Sequence, residues 1–218
     1  MISDQTQSLD EQIAESLEAI DSIENDVRDL FARYTVVGEP IYTAHFLLWA
    51  AGHRTISQIR GFKSMIASRN HTCSSAVARM QLDTALRLWG GFMHGNLAAY
   101  AEHIHAGGRV QKLKSSAGLA LTDRALVDDL TKQYPWVARV YEATSGSIHL
   151  SSRHISLALH VDDEDPPNVS VQMGPEDKMV QPEIFFESCE AFAAITRLAL
   201  NIIDRWFANL GNTTGRWI

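Results

Sequence analysis

Apolar residues recur at steps of three and four positions over residues 4–34, and acidic residues fill much of the opposite face. This spacing predicts a long amphipathic helix over 4–34. Gly38 and Pro40 follow it, and Pro40 suits the first turn of a second helix. We interpret residues 1–36 as a long helical arm that either packs on its own domain, as the short and irregular repeat favours, or contributes to a dimer. Its apolar positions are Leu9, Ile13, Leu17, Ile20, Ile23, Val27, Leu30 and Tyr34.

The same helical spacing continues along most of the chain. One segment breaks it, because 155–161 and 169–173 resemble two short strands on either side of the acidic turn sequence DDEDPPN, which predicts a β-hairpin. We therefore expect a mainly α fold, a helical bundle formed by a single domain over 1–218. A long N-terminal helix begins it, and a small β-hairpin insertion at 155–174 precedes the C-terminal helix. The remaining helices are predicted over 40–69, 74–94, 97–106, 123–134, 135–149 and 183–210.

Composition narrows the class of protein. Apolar residues make up 45% of the 218 positions and charged residues 21%, which is typical of a soluble globular domain. The net charge of −7 argues against broad DNA binding, since sequence-independent binding needs a basic surface. Cys73 and Cys189 are far apart and have no metal-ligand spacing, so we expect reduced thiols, no metal and no cofactor. The polar N-terminus and the short apolar runs predict a cytoplasmic protein without a membrane segment.

Candidate chemistry lies on two helices with polar stripes. Arg79, Asp83 and Arg87 follow one another at four-residue steps in RMQLDTALR, so they share one face of their helix. Tyr141, Ser145 and His149 repeat this spacing in YEATSGSIH.

If the two helices face each other, these six side chains form one network. A functional interpretation makes it an anion or phosphate site, in which Arg79, Arg87 and Asp83 form the anion-binding part and His149, Tyr141 and Ser145 the catalytic part. A structural interpretation makes it a buried polar network that satisfies itself and fixes how the helices pack.

A resemblance covers roughly residues 75–155. The segments RMQLDTALRLWGGF and LTDRALVDDLTKQYPWVARVYEATSGSIHLSSRHI resemble a family of uncharacterised bacterial helical proteins. More loosely, the arrangement is similar to the HEPN superfamily, small helical bundles of toxin–antitoxin and abortive-infection systems. Many of these are dimeric, metal-independent ribonucleases with an Arg followed by four to six residues and a His. Arg87–His94 and Arg153–His160 fit that spacing.

Three hypotheses follow. The resemblance implies a HEPN-like defence or toxin protein that acts on RNA or a nucleotide, a candidate metal-independent ribonuclease with His149 as its acid or base and Arg79 and Arg87 holding phosphate. The acidic composition and the long first helix favour instead a non-catalytic helical interaction module that forms a homodimer. A third hypothesis is a small-anion binder that uses the same two stripes without turnover.

Overall fold

A computed structural model describes residues 2–162 and 168–210, with side chains described from residue 9 onward. The described chain forms eight α-helices, a short 3₁₀ helix at Val110–Lys112 and one two-stranded antiparallel hairpin, which confirms the mainly α bundle, its long first helix and the small hairpin before the last helix. The helices are α1 Ile2–Tyr34, α2 Thr43–Ala67, α3 His71–His94, α4 Leu97–His105, α5 Asp123–Thr131, α6 Trp136–Ser145, α7 Ser152–Ala158 and α8 Pro182–Leu210; the strands are β1 Leu159–Val161 and β2 Val169–Val171.

Helices α3 and α8 form the centre of the bundle, and α1 and α2 pack around them. A close approach joins the two central helices at Gly91 and Trp206. A Cβ at Gly91 would overlap the indole ring of Trp206, so only glycine allows α3 to lie this near to α8. The indole Nε1 of Trp206 donates to the Leu88 carbonyl at 2.9 Å, which satisfies a buried donor within the core.

Helix α1 packs along α8 and α2 through its apolar face. Ile20, Ile23 and Val27 are fully buried there, so the face that the periodicity defines is covered by this chain's own helices. Glu24 accepts hydrogen bonds from Arg60 of α2 at 2.9 Å and from Arg28 at 2.6 Å. Those two bonds lower the pKa of Glu24 to about 2, and the bond from Arg60 links α1 to α2 at the exposed edge of the pair.

Several helix boundaries differ from the prediction, and both α2 and α5 are shorter than the predicted ranges 40–69 and 123–134. Helix α3 starts at His71 because the side chain of Asn70 caps it, accepting from the Cys73 backbone N–H at 2.9 Å. The predicted helix over 135–149 is too long, since α6 ends at Ser145 and Gly146 follows it.

The hairpin is shorter than predicted because its first part is helical. The backbone N–H of Ser151 donates to His154 Nδ1 at 3.2 Å, a local cap that begins helix α7. Residues 155–158 belong to this helix, and the first strand begins only at Leu159. The centre of the predicted acidic turn, residues 163–167, lies outside the described residues.

The register of the hairpin pairs Leu159 with Val171, His160 with Ser170 and Val161 with Val169. Side chains alternate across a strand, so Leu159, Val161, Val169 and Val171 share one face of the ribbon. None of the four is buried, and each is at least 39% exposed. Among the described helices, none is long and apolar enough to cross a membrane.

Candidate functional site

The polar stripe of α3 forms an ion-pair cluster with α5. Arg87 Nη2 donates to Asp83 Oδ1 at 3.0 Å and to Asp123 Oδ1 at 2.6 Å, so two carboxylates hold one guanidinium. Arg79 lies in the same cluster, with its Nη2 at 4.0 Å from Asp123 Oδ2. We call Arg79, Asp83, Arg87 and Asp123 the arginine–aspartate cluster. It contains two positive and two negative groups and therefore has no excess positive charge.

Asp123 joins the two arginines, and its position follows from how α5 begins. Thr122 caps α5 by accepting from the Ala125 backbone N–H at 3.3 Å, which makes Asp123 the first helical residue. The sequence predicts this cap and a favourable acidic first turn. The contacts of Asp123 with α3 were not predicted, because Asp123 and Arg87 are 36 positions apart in the sequence. Burial lowers the pKa of Arg87, but Asp83 and Asp123 outweigh it and raise that pKa overall.

In the part of the chain that the structure describes, the two predicted stripes meet through a contact between Arg79 and Tyr141. The Arg79 guanidinium lies over the Tyr141 ring, 4.3 Å from its centroid, as a cation–π pair. Arg79 is only 6% exposed, and among the described residues its Nε–H has no hydrogen-bond acceptor. The ring and Asp123 therefore provide the main stabilisation of a buried cation.

The rest of the second stripe does not reach the cluster. Ser145 Oγ donates to the Tyr141 carbonyl at 2.5 Å, so the hydroxyl is used within α6. The helical spacing that placed His149 with Tyr141 and Ser145 is wrong, because α6 ends at Ser145 and residues 146–148 form a turn. His149 lies beyond that turn and is exposed.

Neither of the two pairs with HEPN-like spacing forms a joint site. Arg87 points to the carboxylates of the cluster, while His94 Nδ1 lies 3.1 Å from the Asn96 carbonyl. Arg153 is in α7 and His160 is an exposed residue of β1, on the polar face of the hairpin. Arg153 instead contacts a histidine that no sequence pattern indicated, His71.

Arg153 and His71 form a second polar site, at the start of α3. Arg153 Nη2 donates to His71 Nε2 at 2.9 Å, and Arg153 Nη1 donates to the Ala143 carbonyl at the end of α6. Since a guanidinium has no acceptor, Nε2 must be unprotonated and the proton of the neutral ring is on Nδ1. Ser75 Oγ lies 3.2 Å from the same Nε2.

The environment of His71 keeps it neutral. The side chain is 3% exposed and lies edge-on to the Phe185 ring, with centroids 5.8 Å apart. Burial and the neighbouring Arg153 charge lower its pKa to about 4, and the charge of Asp177 only partly opposes them. His71 is therefore an acceptor that orients Arg153 near neutral pH.

Arg153 and His71 lie at a groove between α6 and α8. Both helices pack on α3, and the space between them has a volume of about 710 Å³. Its walls combine small and large apolar residues with a few polar ones. Arg139 and Arg153 line it, and among the described residues neither forms an ion pair with a carboxylate. Glu187 and Glu190 lie on the α8 side, where Glu190 accepts from Ser16 Oγ at 3.1 Å. The apolar lining comprises Ala78, Trp136, Val140, Ala143, Ile184, Phe186, Ala191 and Ala194.

Within residues 9–162 and 168–210, no group of three or more His, Cys, Asp or Glu side chains is arranged to hold a metal ion. No family model, curated protein or solved structure matches this chain.

Proposed function

We propose that this chain is a non-catalytic helical interaction module that forms a homodimer through the apolar face of its hairpin. The observation that supports this most directly is the row formed by Leu159, Val161, Val169 and Val171. These four side chains share one face of β1 and β2 and stay exposed, while the apolar faces of the long helices are buried.

A ribbon of this kind is poorly stabilised by itself. Isolated two-stranded hairpins are marginal in water, and stability normally comes from further strands or from packing of an apolar face. Ile155 and Met173 flank the ribbon and are exposed as well, at 59% and 90%. Contiguous exposed apolar surface is typical of a protein interface. The hairpin therefore has the chemistry of a surface that is covered by a partner.

A second copy of this chain suits the surface better than nucleic acid does. The strands themselves contain no Asp, Glu, Lys or Arg, and the acidic residues of this segment belong to the turn sequence between them. The chain as a whole has a net charge of −7, which opposes binding to a phosphate backbone. Two hairpins related by a two-fold axis would pack the same apolar row against itself, as in an isologous interface.

The arginine–aspartate cluster also supports a non-catalytic role. Arg87 already has two carboxylate partners, so an incoming phosphate would have to displace Asp83 or Asp123. Arg79 is buried under Tyr141. Groups that are paired in this way stabilise the packing of α3 on α5 and α6 and leave little capacity for a ligand.

The test compares neighbouring residues on opposite faces of β2. Val171→Asp places a carboxylate on the apolar face, and Ser170→Asp places the same group on the polar face as a matched control. We expect wild type and Ser170→Asp to sediment as concentration-dependent dimers and Val171→Asp as a monomer in analytical ultracentrifugation. A wild-type monomer at every concentration, or a dimer that Val171→Asp leaves intact, would refute the proposal.

A second candidate function is RNA- or nucleotide-directed activity of the HEPN-like kind. The observation that favours it is the exposure of His149, which leaves its imidazole accessible to an external phosphate. RNA cleavage by wild type that His149→Ala abolishes, with unchanged circular dichroism, would support it. An inactive wild type over a broad panel of RNAs and nucleotides would exclude it.

A further inference from the structure

We propose that the groove between α6 and α8 binds a small amphipathic organic anion, with Arg153 holding its carboxylate or phosphate oxygen and the apolar walls holding its body. This site is separate from the hairpin and does not depend on self-association. It also differs from the predicted anion site, whose arginines belong to the arginine–aspartate cluster.

Arg153 has more N–H donors than its two hydrogen bonds use. A guanidinium offers five N–H bonds, and the two hydrogen bonds of Arg153 end on the Ala143 carbonyl and on neutral His71. Both acceptors are uncharged, so they orient the guanidinium without neutralising it. Among the described residues Arg153 has no carboxylate within ion-pair distance, in contrast to Arg87 with two. An anion in the groove would therefore meet a positioned cation with remaining donors.

Apolar and aromatic side chains surround Arg153 in the groove. Trp136 and Val140 of α6 and Phe186 of α8 line the same groove. Its volume of about 710 Å³ falls in the range of small-molecule sites, which are mostly apolar with a few placed polar groups. A ligand with both a charged end and an apolar or aromatic body would use both parts of the wall.

The charged residues on the walls of the groove limit the charge that a ligand can carry. Glu187 and Glu190 are exposed on the α8 side of the groove, and Glu190 is engaged by Ser16. These carboxylates repel a ligand of high negative charge. Arg139 is exposed on the α6 side and adds a second positive group. The balance favours a ligand with a single negative charge over a polyanion such as RNA.

The start of α3 is not an alternative anion site. Two backbone donors of its first turn are already used, because Thr72 N–H donates to Asp177 Oδ2 at 2.7 Å and Cys73 N–H donates to Asn70 Oδ1 at 2.9 Å. The anion is therefore held by the arginine side chains of the groove.

Calorimetric titration of the full chain with three probes tests the proposal. Naphthalene-1-acetate has both required parts, naphthalene-1-ethanol has the body without the charge, and acetate has the charge without the body. We expect naphthalene-1-acetate to bind at least about tenfold more tightly than either of the others. Equal affinity for acetate and naphthalene-1-acetate would overturn the amphipathic site, and so would the absence of any binding.

Variants locate the binding. Arg153→Gln should weaken naphthalene-1-acetate at least about tenfold and leave naphthalene-1-ethanol unchanged. Arg124→Gln removes an exposed arginine on α5 that pairs with Asp128, and serves as the matched control. Undiminished binding by a folded Arg153→Gln variant would overturn the role of Arg153. If that variant does not fold, wild-type NMR decides, because the indole signal of Trp136 must shift during titration, and an unmoved signal would refute the site.

Discussion

The two arginine sites of this protein use the same helix in opposite ways. In the arginine–aspartate cluster, α3 supplies two arginines, and carboxylates of α3 and α5 hold them. At the groove, α3 supplies one neutral acceptor, His71, whose Nε2 also lies near Ser75 Oγ, while the arginine comes from α7. The arginines of the cluster are paired with its own carboxylates, whereas Arg153 at the groove has no carboxylate within ion-pair distance among the described residues.

Residue type alone does not show which of the two arginine sites serves packing and which serves binding. Both sites contain partly or fully buried arginine, but only the arginines of the cluster were predicted from the sequence to bind an anion. What distinguishes them is the charge of the partners, because a guanidinium held by two carboxylates gains little from a third anion. Three predictions test this comparison, and the first has the largest expected change in the free energy of unfolding.

Removing the charge of Asp123 should strongly destabilise the cluster. Asp123→Asn leaves Arg79 without its nearest carboxylate and Arg87 with only Asp83. The change leaves an uncompensated charge on buried Arg79 and weakens the partly buried pair with Arg87, so we expect a loss of about 2–3 kcal/mol in the free energy of unfolding. Urea denaturation measures it.

The control for Asp123→Asn is Asp128→Asn, which removes an exposed carboxylate paired with Arg124 on the same helix. Exposed pairs contribute little, and this change should stay within about 0.5 kcal/mol of wild type. Equal effects of the two variants would show that the cluster is not a stabilising unit.

Lowering the pH should destabilise the folded protein through protonation of His71 at the groove. The folded state holds the pKa of His71 at about 4, below the ordinary value of 6.5, so protonation favours the unfolded chain. The stability that the neutral ring contributes is complete above pH 6.5 and is lost as the pH falls toward 4. This linkage alone removes about 2 kcal/mol between pH 7 and pH 5.

Unfolding curves at several pH values check the His71 linkage. The slope of stability against pH should flatten in His71→Gln, which keeps a side-chain acceptor for Arg153 but does not titrate. The exposed His53 provides the matched variant, and His53→Gln should keep the wild-type slope. A His71→Gln variant whose slope equals that of wild type would show that His71 does not titrate with folding.

The smallest effect concerns the contact between Arg79 and Tyr141. Tyr141→Leu removes the ring under the guanidinium and should cost about 1 kcal/mol in unfolding free energy beyond Tyr141→Phe, which keeps the ring. Thermal and urea unfolding of the two variants measure this difference. Identical stabilities would mean that the aromatic face contributes nothing to holding Arg79.

Much of the fold could be predicted because it depends on local repetition. The periodic apolar face of α1 is the face that is buried, and Thr122 caps α5 as its position suggests. The segment 155–158 escaped prediction because its alternating apolar residues fit a strand, while a cap between Ser151 and His154 extends a helix into it. A cap that depends on a histidine side chain is a weak signal in a sequence.

The candidate sites could be predicted only in part, since their partners are distant along the chain. The spacing of Arg79, Asp83 and Arg87 identified one face of α3, and the structure places all three in one cluster with Tyr141 nearby. The pairing of Arg153 with His71 spans 82 positions, and no periodicity or motif connects the two. Only the packing of α7 against the start of α3 brings them together.

The most direct test of the comparison is NMR observation of the arginine side chains during titration with naphthalene-1-acetate. Signals of the Nε–H groups of Arg79, Arg87 and Arg153 are assigned from single Arg→Lys variants. We predict that the Arg153 signal shifts in a saturable manner while those of Arg79 and Arg87 stay in place. A shift at Arg79 or Arg87 with Arg153 unmoved would contradict the assignment of one site to packing and the other to binding.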